Sequence, residues 1–446
     1  MNEAGRVHAL LDAGAEPPGG PVLPPVAELL ARARTGRRRR RVGLVSLVAI
    51  GCALIIAVPF VVIRNGGRPL EEPAVYPSVR SATAAELARG RWDVLPQSPV
   101  PGRIGAAAVW TGDEMVVWGG ASGTYPGTLR ADGVAYEPGT RTWRMLPPSP
   151  LGARSGTASV WTGHAMFVWG GYDSLYPLVV STSALGGIFA PGHATNSGAL
   201  YDPDRRTWQV LPRSPLLGGL VSARALWTGR EVVVVGGRPP GRGNSVDVVA
   251  AAYNPTSHSW RMLPPLPPLG LRVSLLDAVG AGDRIYLWLG HLGAGVDMLE
   301  YDSRGNVWDS VSGGRDSKVS RGLGGPLWTG DELIVPAAVA YRPTVMGHYE
   351  SNLYGERLVP GTGDWRAMAH GPLDDRSPLS IWTGGALLSL AQGGGAAVWD
   401  PAADTWTRLP DAPVNIDEAV LFGSTIWTGR QVLLWGPQGP PVAFGA

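Results

Sequence analysis

Six arginines recur at one kind of position, at or shortly before the start of a segment rich in apolar residues. They are Arg103, Arg154, Arg224, Arg272, Arg321 and Arg376. A guanidinium group can bind a carboxylate, phosphate or sulfate group through two parallel hydrogen bonds. If these side chains meet at one opening, they form a binding site for an anionic ligand. The alternative is structural, with each arginine bonding carbonyl oxygens of a neighbouring loop or an acidic side chain.

The sequence lacks the residues for most catalytic and metal chemistry. Cys52 is the only cysteine, so an intrachain disulfide and a cysteine-based zinc site are excluded. No Walker loop, His-Glu-x-x-His motif or nucleophile elbow occurs. His193, His348 and His370 could share a metal, but histidines on separate repeats are more often ordinary loop residues. We predict no catalytic residue, metal ligand or cofactor, while carboxylates brought together by folding leave an enzyme open as an alternative.

An internal repeat predicts the β-strands and loops that position these arginines. The segment Val109–Gly120 joins an apolar run, a Thr-Gly turn and a second apolar run, which is the pattern of a β-hairpin. Because the second run is apolar at nearly every position, we expect both of its faces to be covered. Six further copies follow, one of them degenerate. They lie at 160–171, 226–237, 279–291, 327–338, 381–394 and 426–437.

A second recurring unit alternates with the first. It begins with an aromatic or aliphatic residue near an Asp-Pro-like turn and continues to a tryptophan, as in Tyr136 to Trp143. The tryptophans of this unit, from Trp92 to Trp406, lie about 41 to 65 residues apart, around the ~50-residue kelch period. Two hairpins per repeat predict four strands. Six complete repeats are expected at 103–147, 154–212, 221–264, 272–312, 321–369 and 376–410.

The seventh repeat lacks a closing strand, and a strand around Trp92 precedes the first repeat. We therefore expect the Trp92 strand to pair into the C-terminal repeat, which would remove both open sheet edges. The prediction is an all-β, seven-bladed propeller of four-stranded blades. A glycine pair after an apolar strand, followed by a tyrosine and then a tryptophan, resembles the kelch repeat over about residues 91–446. The resemblance implies a propeller fold and leaves the function open.

Two activities known among propellers do not fit the sequence. A copper site similar to that of galactose oxidase needs a tyrosine linked to a cysteine, and Cys52 lies in an apolar segment far from the repeats. A sialidase-like protein would carry Asp boxes, but Ser303 occupies the aspartate position in the nearest match, 303–308.

Connections between the second and third strands of a repeat are long and unequal, whereas the other hairpin turns are short. The long ones are Ala121–Gly133, Tyr172–Gly198, Arg238–Val248 and Val339–Glu356. In a four-stranded meander these connections and the starts of the first strands share one face. Because long loops on a rigid scaffold often bind partners, we predict that this face binds the ligand. Tolerated surface insertion is the alternative.

The N-terminal part predicts a membrane anchor. Residues 1–41 are polar and basic and are expected to form a disordered cytoplasmic tail. Val42–Ile63 contains no charged residue over 22 positions, long enough for a single transmembrane helix. Arg37–Arg41 precede it and place the N-terminus in the cytoplasm, with lipid contact as an additional possibility. Residues 64–88 are expected to form a Pro-rich stalk and 89–446 the propeller.

Charge and composition narrow the function. The net charge is +2, but the tail alone carries +4, so the remainder is nearly neutral and no nucleic-acid partner is predicted. We expect a monomeric, bacterial, extracytoplasmic binding module that recognises a protein, peptide or glycan. The alternatives are an enzyme acting on carbohydrate or another small ligand at the channel mouth, and a transmembrane regulator whose tail contacts a cytoplasmic partner.

Overall fold

The structure is a computed structural model that describes residues 80–123, 127–174, 193–238, 247–269, 273–291, 296–311, 325–343, 349–373, 379–416 and 423–445. The predicted tail, the predicted transmembrane segment Val42–Ile63 and the first part of the predicted stalk lie outside these residues. Within the described ranges, no helix has the length and hydrophobicity needed to cross a membrane.

The described chain is almost entirely β-strand. In chain order the elements are α1 (Ala84–Leu87), β1 (Arg91–Val94), β2 (Ala107–Trp110), β3 (Met115–Trp118), β4 (Ala121–Ser122), β5 (Thr128–Leu129), β6 (Gly133–Glu137), β7 (Thr142–Met145), β8 (Ala158–Trp161), β9 (Met166–Trp169), β10 (Gly198–Asp202), β11 (Thr207–Val210), β12 (Val221–Trp227), β13 (Val232–Gly237), β14 (Val248–Asn254), β15 (Ser259–Met262), β16 (Val273–Ala281), β17 (Arg284–His291), β18 (Val296–Asp302), β19 (Val307–Ser310), β20 (Leu327–Trp328), β21 (Leu333–Pro343), β22 (Tyr349–Leu358), β23 (Trp365–Ala367), β24 (Leu379–Trp382), β25 (Leu387–Leu390), β26 (Ala396–Asp400), β27 (Thr405–Leu409), β28 (Ser424–Trp427), β29 (Gln431–Trp435) and β30 (Val442–Gly445). A short 3₁₀ turn spans Gln392–Gly394.

These strands form seven four-stranded antiparallel sheets, the blades of a β-propeller. Blade 1 is β2-β3-β6-β7, with β4 and β5 paired in its long connection. Blades 2 to 6 are β8 to β11, β12 to β15, β16 to β19, β20 to β23 and β24 to β27. Blade 7 has the order β1-β30-β29-β28. The all-β, seven-bladed prediction is confirmed.

In four blades the second strand is buried along its whole length. These strands are β3, β9, β13 and β25. A strand with apolar residues on both faces requires cover on both sides, which adjacent blades provide. Core clusters accordingly mix residues of neighbouring blades, as where Val116 and Trp118 of β3 pack with Met166 and Val168 of β9. The expectation from the continuous apolar runs is therefore met.

Tryptophans of the outer strands connect consecutive blades. In six blades the indole Nε1 donates to a backbone carbonyl of the preceding blade, whereas Nε1 of Trp365 in blade 5 has no hydrogen-bond partner among the described residues. The pairs are Trp92 to Pro410, Trp143 to Pro96, Trp208 to Pro147, Trp260 to Pro212, Trp308 to Pro264 and Trp406 to Ala369, at 2.8–3.1 Å. In five of these pairs the acceptor is a proline that follows the outer strand of the preceding blade, so the recurring Trp and Pro share one function there, and Ala369 accepts in the sixth pair.

Blade 7 combines strands from both ends of the described chain. β1 pairs antiparallel with β30, and Trp92 lies opposite Phe444 with ring centroids 5.1 Å apart. Leu95 N donates to the Pro441 carbonyl at 2.9 Å and extends this pairing. The outer strand of blade 7 therefore comes from the N-terminal side of the propeller.

Residues 80–88, assigned to the stalk from sequence, pack against the blades. Thr83 and Glu86 form a capping box at α1. Leu87 is fully buried in the cluster shared by blades 6 and 7, and the buried Thr383 hydroxyl donates to the Ala82 carbonyl at 2.8 Å. The apolar Ala82 and Leu87 explain the difference, since burying them favours docking over an extended stalk.

The segment Val339–Glu356 was predicted as a loop, and the structure corrects this. β21 and β22 are 11 and 10 residues long and pair from Ala338↔Tyr354 to Pro343↔Tyr349. A register shift between Val335 and Ala338 separates this outer ladder from the blade itself. Because β-branched and aromatic residues favour strands, the hairpin continues beyond the blade instead of becoming irregular.

Candidate functional site

Each blade presents two kinds of connection on opposite faces of the propeller. We call the side that joins second to third strands the long-loop face, and the side with the other hairpin turns the short-turn face. In sequence, the six predicted arginines lie at or shortly before the first strands, and these strands start at the long-loop face. Three of them, Arg272, Arg321 and Arg376, lie outside the described residues, whereas Arg103, Arg154 and Arg224 are described.

Arg103 is only 1% exposed and binds its own blade. Its Nη1 donates to the carbonyl of Gly119 at 3.0 Å and to that of Asp132 at 2.7 Å. Nη2 lies 3.0 Å from Asp132 Oδ2, an ion pair without hydrogen-bond alignment. Burial lowers the pKa of Arg103, and Asp132 partly offsets this. Because Gly119 and Asp132 flank the long connection of blade 1, one guanidinium fastens both ends of that loop.

Arg154 has the same function in blade 2. It is 6% exposed, and its Nη1 lies 3.2 Å from the Gly170 carbonyl and 3.3 Å from the Ser197 carbonyl. It also donates to the Thr195 hydroxyl at 2.9 Å. Burial lowers the pKa of Arg154, with Asp173 opposing. Gly170 and Ser197 flank the longest of the predicted loops, so this guanidinium again joins the two ends of a loop.

The glycine pairs explain why the backbone can approach these arginines. Gly119 has φ 73° and Gly120 has φ 85°, conformations that suit glycine. A Cβ on Gly119 would lie 2.9 Å from the Arg154 carbonyl oxygen. Gly120 N in turn donates to that carbonyl at 2.8 Å. The glycine pair and the arginine segment of the next blade are thus fitted to one another.

Arg224 differs from both. Its side chain is 43% exposed, and Nε donates to Asp277 Oδ1 of blade 4 at 2.8 Å. Asp277 Oδ1 also accepts from Ala278 N at 2.8 Å. The three described arginines therefore do not converge. Two donate hydrogen bonds to carbonyls at the ends of their loops, and one forms an ion pair with a neighbouring blade. Anion binding by the six-arginine set stays a prediction.

Two of the three histidines considered as metal ligands, His193 and His370, lie within the described residues. His193 Nδ1 lies 3.2 Å from Asp173 Oδ2, and both side chains are exposed. His370 is exposed, and His348 lies outside the described residues. Across the described ranges, no three His, Cys, Asp or Glu side chains are close enough to share a metal ion.

Sequence reasoning missed the short-turn face, where two cavities lie. One, of about 430 Å³, lies between blades 1 and 2 and is lined by Glu114, Arg144, Trp161, His164 and Arg206 among others. The other, of about 840 Å³, lies between blades 7 and 1. The binding face was predicted from loop length, and the turns on this face are all short. Loop length therefore did not indicate a site here.

A polar cluster links blades across the first of these junctions. Arg144 Nε donates to Glu114 Oε2 at 3.1 Å, and its Nη1 to the Tyr201 hydroxyl of blade 2 at 3.0 Å. Burial alone would lower the pKa of Arg144, but Glu114 and Tyr201 outweigh it and raise the pKa. The arrangement repeats between blades 3 and 4, where Arg261 bonds Glu231 and Tyr301. The recurrence of Glu in the turn and Arg after Trp was a usable signal.

Comparisons with known proteins add little beyond the fold. No protein-family model matches the chain, and no curated protein matches it. The solved structure of YjhT is similar, with 13% identity and a TM-score of 0.47, covering 71% of this chain and 100% of that chain. At this level of similarity no argument about function rests on it.

Proposed function

We propose that this chain is a membrane-anchored binding module of the kelch type, in which the pairing of β1 with β30 closes the ring. Its long-loop face recognises a protein, peptide or glycan outside the cytoplasm. Val42–Ile63 is the single transmembrane anchor of this proposal, with the N-terminus inside.

The fastening of loop ends by buried arginines carries the proposal. Arg103 and Arg154 hold the two ends of their loops within hydrogen-bonding reach of one guanidinium. Between fixed ends, a connection can change length and sequence without disturbing the blade. Binding loops on rigid scaffolds require this separation of variable tips from invariant bases.

The segment that precedes β1 contacts the short-turn face at residue 82. Ala82 bridges Gly384 in the first hairpin turn of blade 6, which belongs to the short-turn face. The N-terminal connection therefore reaches the propeller on the side opposite the long loops. This supports the long-loop face as the one that receives an external partner.

Loop excision tests the binding face. Asp173 N donates to the His193 carbonyl at 3.2 Å, so residues 174–192 can be replaced by Asn-Gly, which closes two-residue hairpins. In blade 3, Arg238 N donates to the Asp247 carbonyl at 2.8 Å, so 239–246 can be replaced in the same way. We expect the full chain to bind members of a glycan and peptide array, and at least one excision to abolish that binding without changing the melting temperature.

Arg206→Ala on the short-turn face is the control for the excisions and should bind as the parent does. If both excised proteins retain every interaction of the parent, the long-loop face is not the binding face. Membrane attachment is tested separately with Leu54→Arg in the predicted anchor, which costs about 2.5–3.5 kcal/mol of insertion free energy. The parent should float with liposomes, and this variant should float much less.

A further inference from the structure

We propose a second binding site, for a phosphorylated polyol, on the short-turn face where blade 7 meets blade 1. The cavity of about 840 Å³ at this junction is within the range of small-molecule sites. Its lining includes Arg89, Arg91 and Arg430 from one side and Asp113 and Glu137 from the other, with Trp110 between them. The proposal is independent of the long-loop face and its ligand.

Two glycines bring the arginines of this cavity together. Gly90 lies so close to β30 that a Cβ there would be 2.8 Å from the Phe444 ring and 2.9 Å from the Gly445 carbonyl oxygen. A Cβ on Gly445 would lie 2.6 Å from the Arg430 carbonyl oxygen. Gly445 pairs with Arg91 on one side and with Gln431 on the other. The absence of side chains at both glycines lets these segments approach closely, and this places Arg89, Arg91 and Arg430 around one cavity.

The three arginines have guanidinium groups available for a ligand. Arg89, Arg91 and Arg430 are all exposed, and none has a side-chain hydrogen bond or ion pair with another described residue. Two other arginines on this face are paired, Arg144 with Glu114 and Arg261 with Glu231. The three guanidinium groups can therefore donate hydrogen bonds to an anion that enters the cavity.

Comparison of the blades shows that this cluster is specific to blade 7. The residue before the outer-strand tryptophan is Arg91 in blade 7. In the other blades it is Thr142, Thr207, Ser259, Val307, Asp364 and Thr405. Arg89 has no equivalent elsewhere, because it belongs to the segment that precedes β1. The arginine of the first hairpin turn, Arg430, has a counterpart in Arg230 of blade 3, which provides a matched control.

The opposite wall is acidic and held in place. Arg141 has φ 57° and forms an ion pair with Asp93 of β1, which ties the second turn of blade 1 to blade 7. Glu137, in the same turn, accepts a hydrogen bond from the Thr140 hydroxyl at 2.9 Å. Asp113 lies in the adjacent turn, and its carboxylate has no described side-chain partner. Carboxylates can accept hydrogen bonds from the hydroxyl groups of a ligand.

The charge pattern selects the ligand class. A phosphate monoester carries about −1.5 to −2 at neutral pH and has three acceptor oxygens, more than a single carboxylate offers to three guanidinium groups. A carbon skeleton with several hydroxyl groups would then reach Asp113 and Glu137 across the cavity. The phosphoryl group could belong to a free polyol phosphate or to the monoester phosphate on a phosphorylated inositol lipid headgroup, since both present the same chemistry.

Calorimetric titration of the full chain in phosphatidylcholine nanodiscs with myo-inositol 1-phosphate tests the site. We expect saturable binding that weakens about tenfold to hundredfold in Arg91→Thr and in Arg430→Gln, because each change removes charge-assisted hydrogen bonds. Arg230→Gln should leave the affinity unchanged. Arg91→Thr introduces the residue that blades 1, 2 and 6 carry at this position, so it is compatible with the fold.

The source of the ligand is decided by adding phosphatidylinositol 4-phosphate, whose ring phosphate is a monoester, to the same nanodiscs. Competition with the soluble ester identifies a lipid headgroup as a ligand, whereas unchanged titration identifies the free polyol phosphate. Inorganic phosphate binding as tightly as the ester, absence of ester binding, or equal weakening in Arg230→Gln would overturn the proposal.

Discussion

Arginines on the two faces of the propeller are used in opposite ways. On the long-loop face, Arg103 and Arg154 are buried and donate to backbone carbonyls of their own blades. On the short-turn face, Arg144 and Arg261 pair with glutamates and with tyrosines of the next blade, while Arg91 and Arg430 project into a cavity. The difference shows that recurrence of a charged residue indicates a repeated structural function, whereas departure from the repeat marks a candidate ligand site.

Substitution of the buried arginines should have the largest effect on stability and is the strongest test of this comparison. Arg154→Gln should lower the free energy of unfolding by about 2–4 kcal/mol, since the carbonyls of Gly170 and Ser197 lose a buried charged donor. Arg103→Gln should have a similar effect. Thermal and denaturant unfolding of the full chain measure both. Arg224→Gln, at a half-exposed position, serves as the control and should cost less than about 1 kcal/mol.

Equal stability of Arg154→Gln and Arg224→Gln would contradict the fastening of loop ends, and the proposed function would lose its support. If instead Arg154→Gln is destabilised but retains all array binding, the arginine is structural and does not contact the ligand.

The interblade hydrogen bonds of the outer-strand tryptophans should have the next largest effect on the free energy of unfolding. Trp208→Phe should lower the free energy of unfolding by about 1–2 kcal/mol, because the Pro147 carbonyl loses its donor at 3.1 Å. Trp427→Phe is the control, since Trp427 is half-buried and its Nε1 has no hydrogen-bond partner among the described residues. Differential scanning calorimetry of both variants would show whether the interblade bond, and not the ring alone, contributes to stability.

Much of the fold could be predicted because the repeat itself reports it. The Trp-Thr-Gly turn and the outer-strand tryptophan mark two hairpins in nearly every blade, so each predicted repeat contains one observed sheet. The docking of Leu87 was missed because one short helical turn in a Pro-rich segment gives little periodicity. The extended β21–β22 hairpin was missed because length alone does not distinguish a long loop from a protruding strand pair.

The sites were less predictable because their partners are distant in sequence. Arg144 is 30 residues from Glu114 and 57 from Tyr201. Arg103 could be recognised as recurring, but its burial depends on how Gly119 and Asp132 fold back onto it. The cavity between blades 7 and 1 combines β1 with residues more than 300 positions away, so no local pattern contains it.

Ion pairs on the short-turn face should contribute less than the buried arginines, and their contribution can be ranked. A double-mutant cycle of Glu114→Gln and Arg144→Gln should give a coupling of about 1–2 kcal/mol, as the two side chains are 16% and 24% exposed. The same cycle for Asp202 and Arg205, with Arg205 79% exposed, should give a much smaller coupling, because water screens the pair. Equal couplings would indicate that the interblade cluster has no special stability.

Acid sensitivity gives the smallest effect, and on the short-turn face it can be tested at Asp404. Asp404 has φ 50° and accepts from Ala369 N of blade 5 at 3.0 Å and from Trp399 Nε1 at 2.9 Å. The Ala369 N–H is the main cause that lowers the pKa of Asp404 below its ordinary 3.8, with Trp399 adding to it against partial burial. A carboxyl whose pKa is lowered by folding stabilises above its unfolded pKa and loses this contribution as the pH falls below 3.8.

Asp404→Asn should therefore flatten the loss of stability below pH 3.8, since asparagine tolerates the left-handed conformation and its amide oxygen can accept the same bonds. Unfolding of parent and variant from pH 5 to pH 2.5 measures this. Arg103 and Arg154 stay charged throughout that range, so the long-loop face contributes no titrating guanidinium. If the variant and the parent lose the same free energy of unfolding as the pH falls below 3.8, the interblade contact of Asp404 does not depend on its charge.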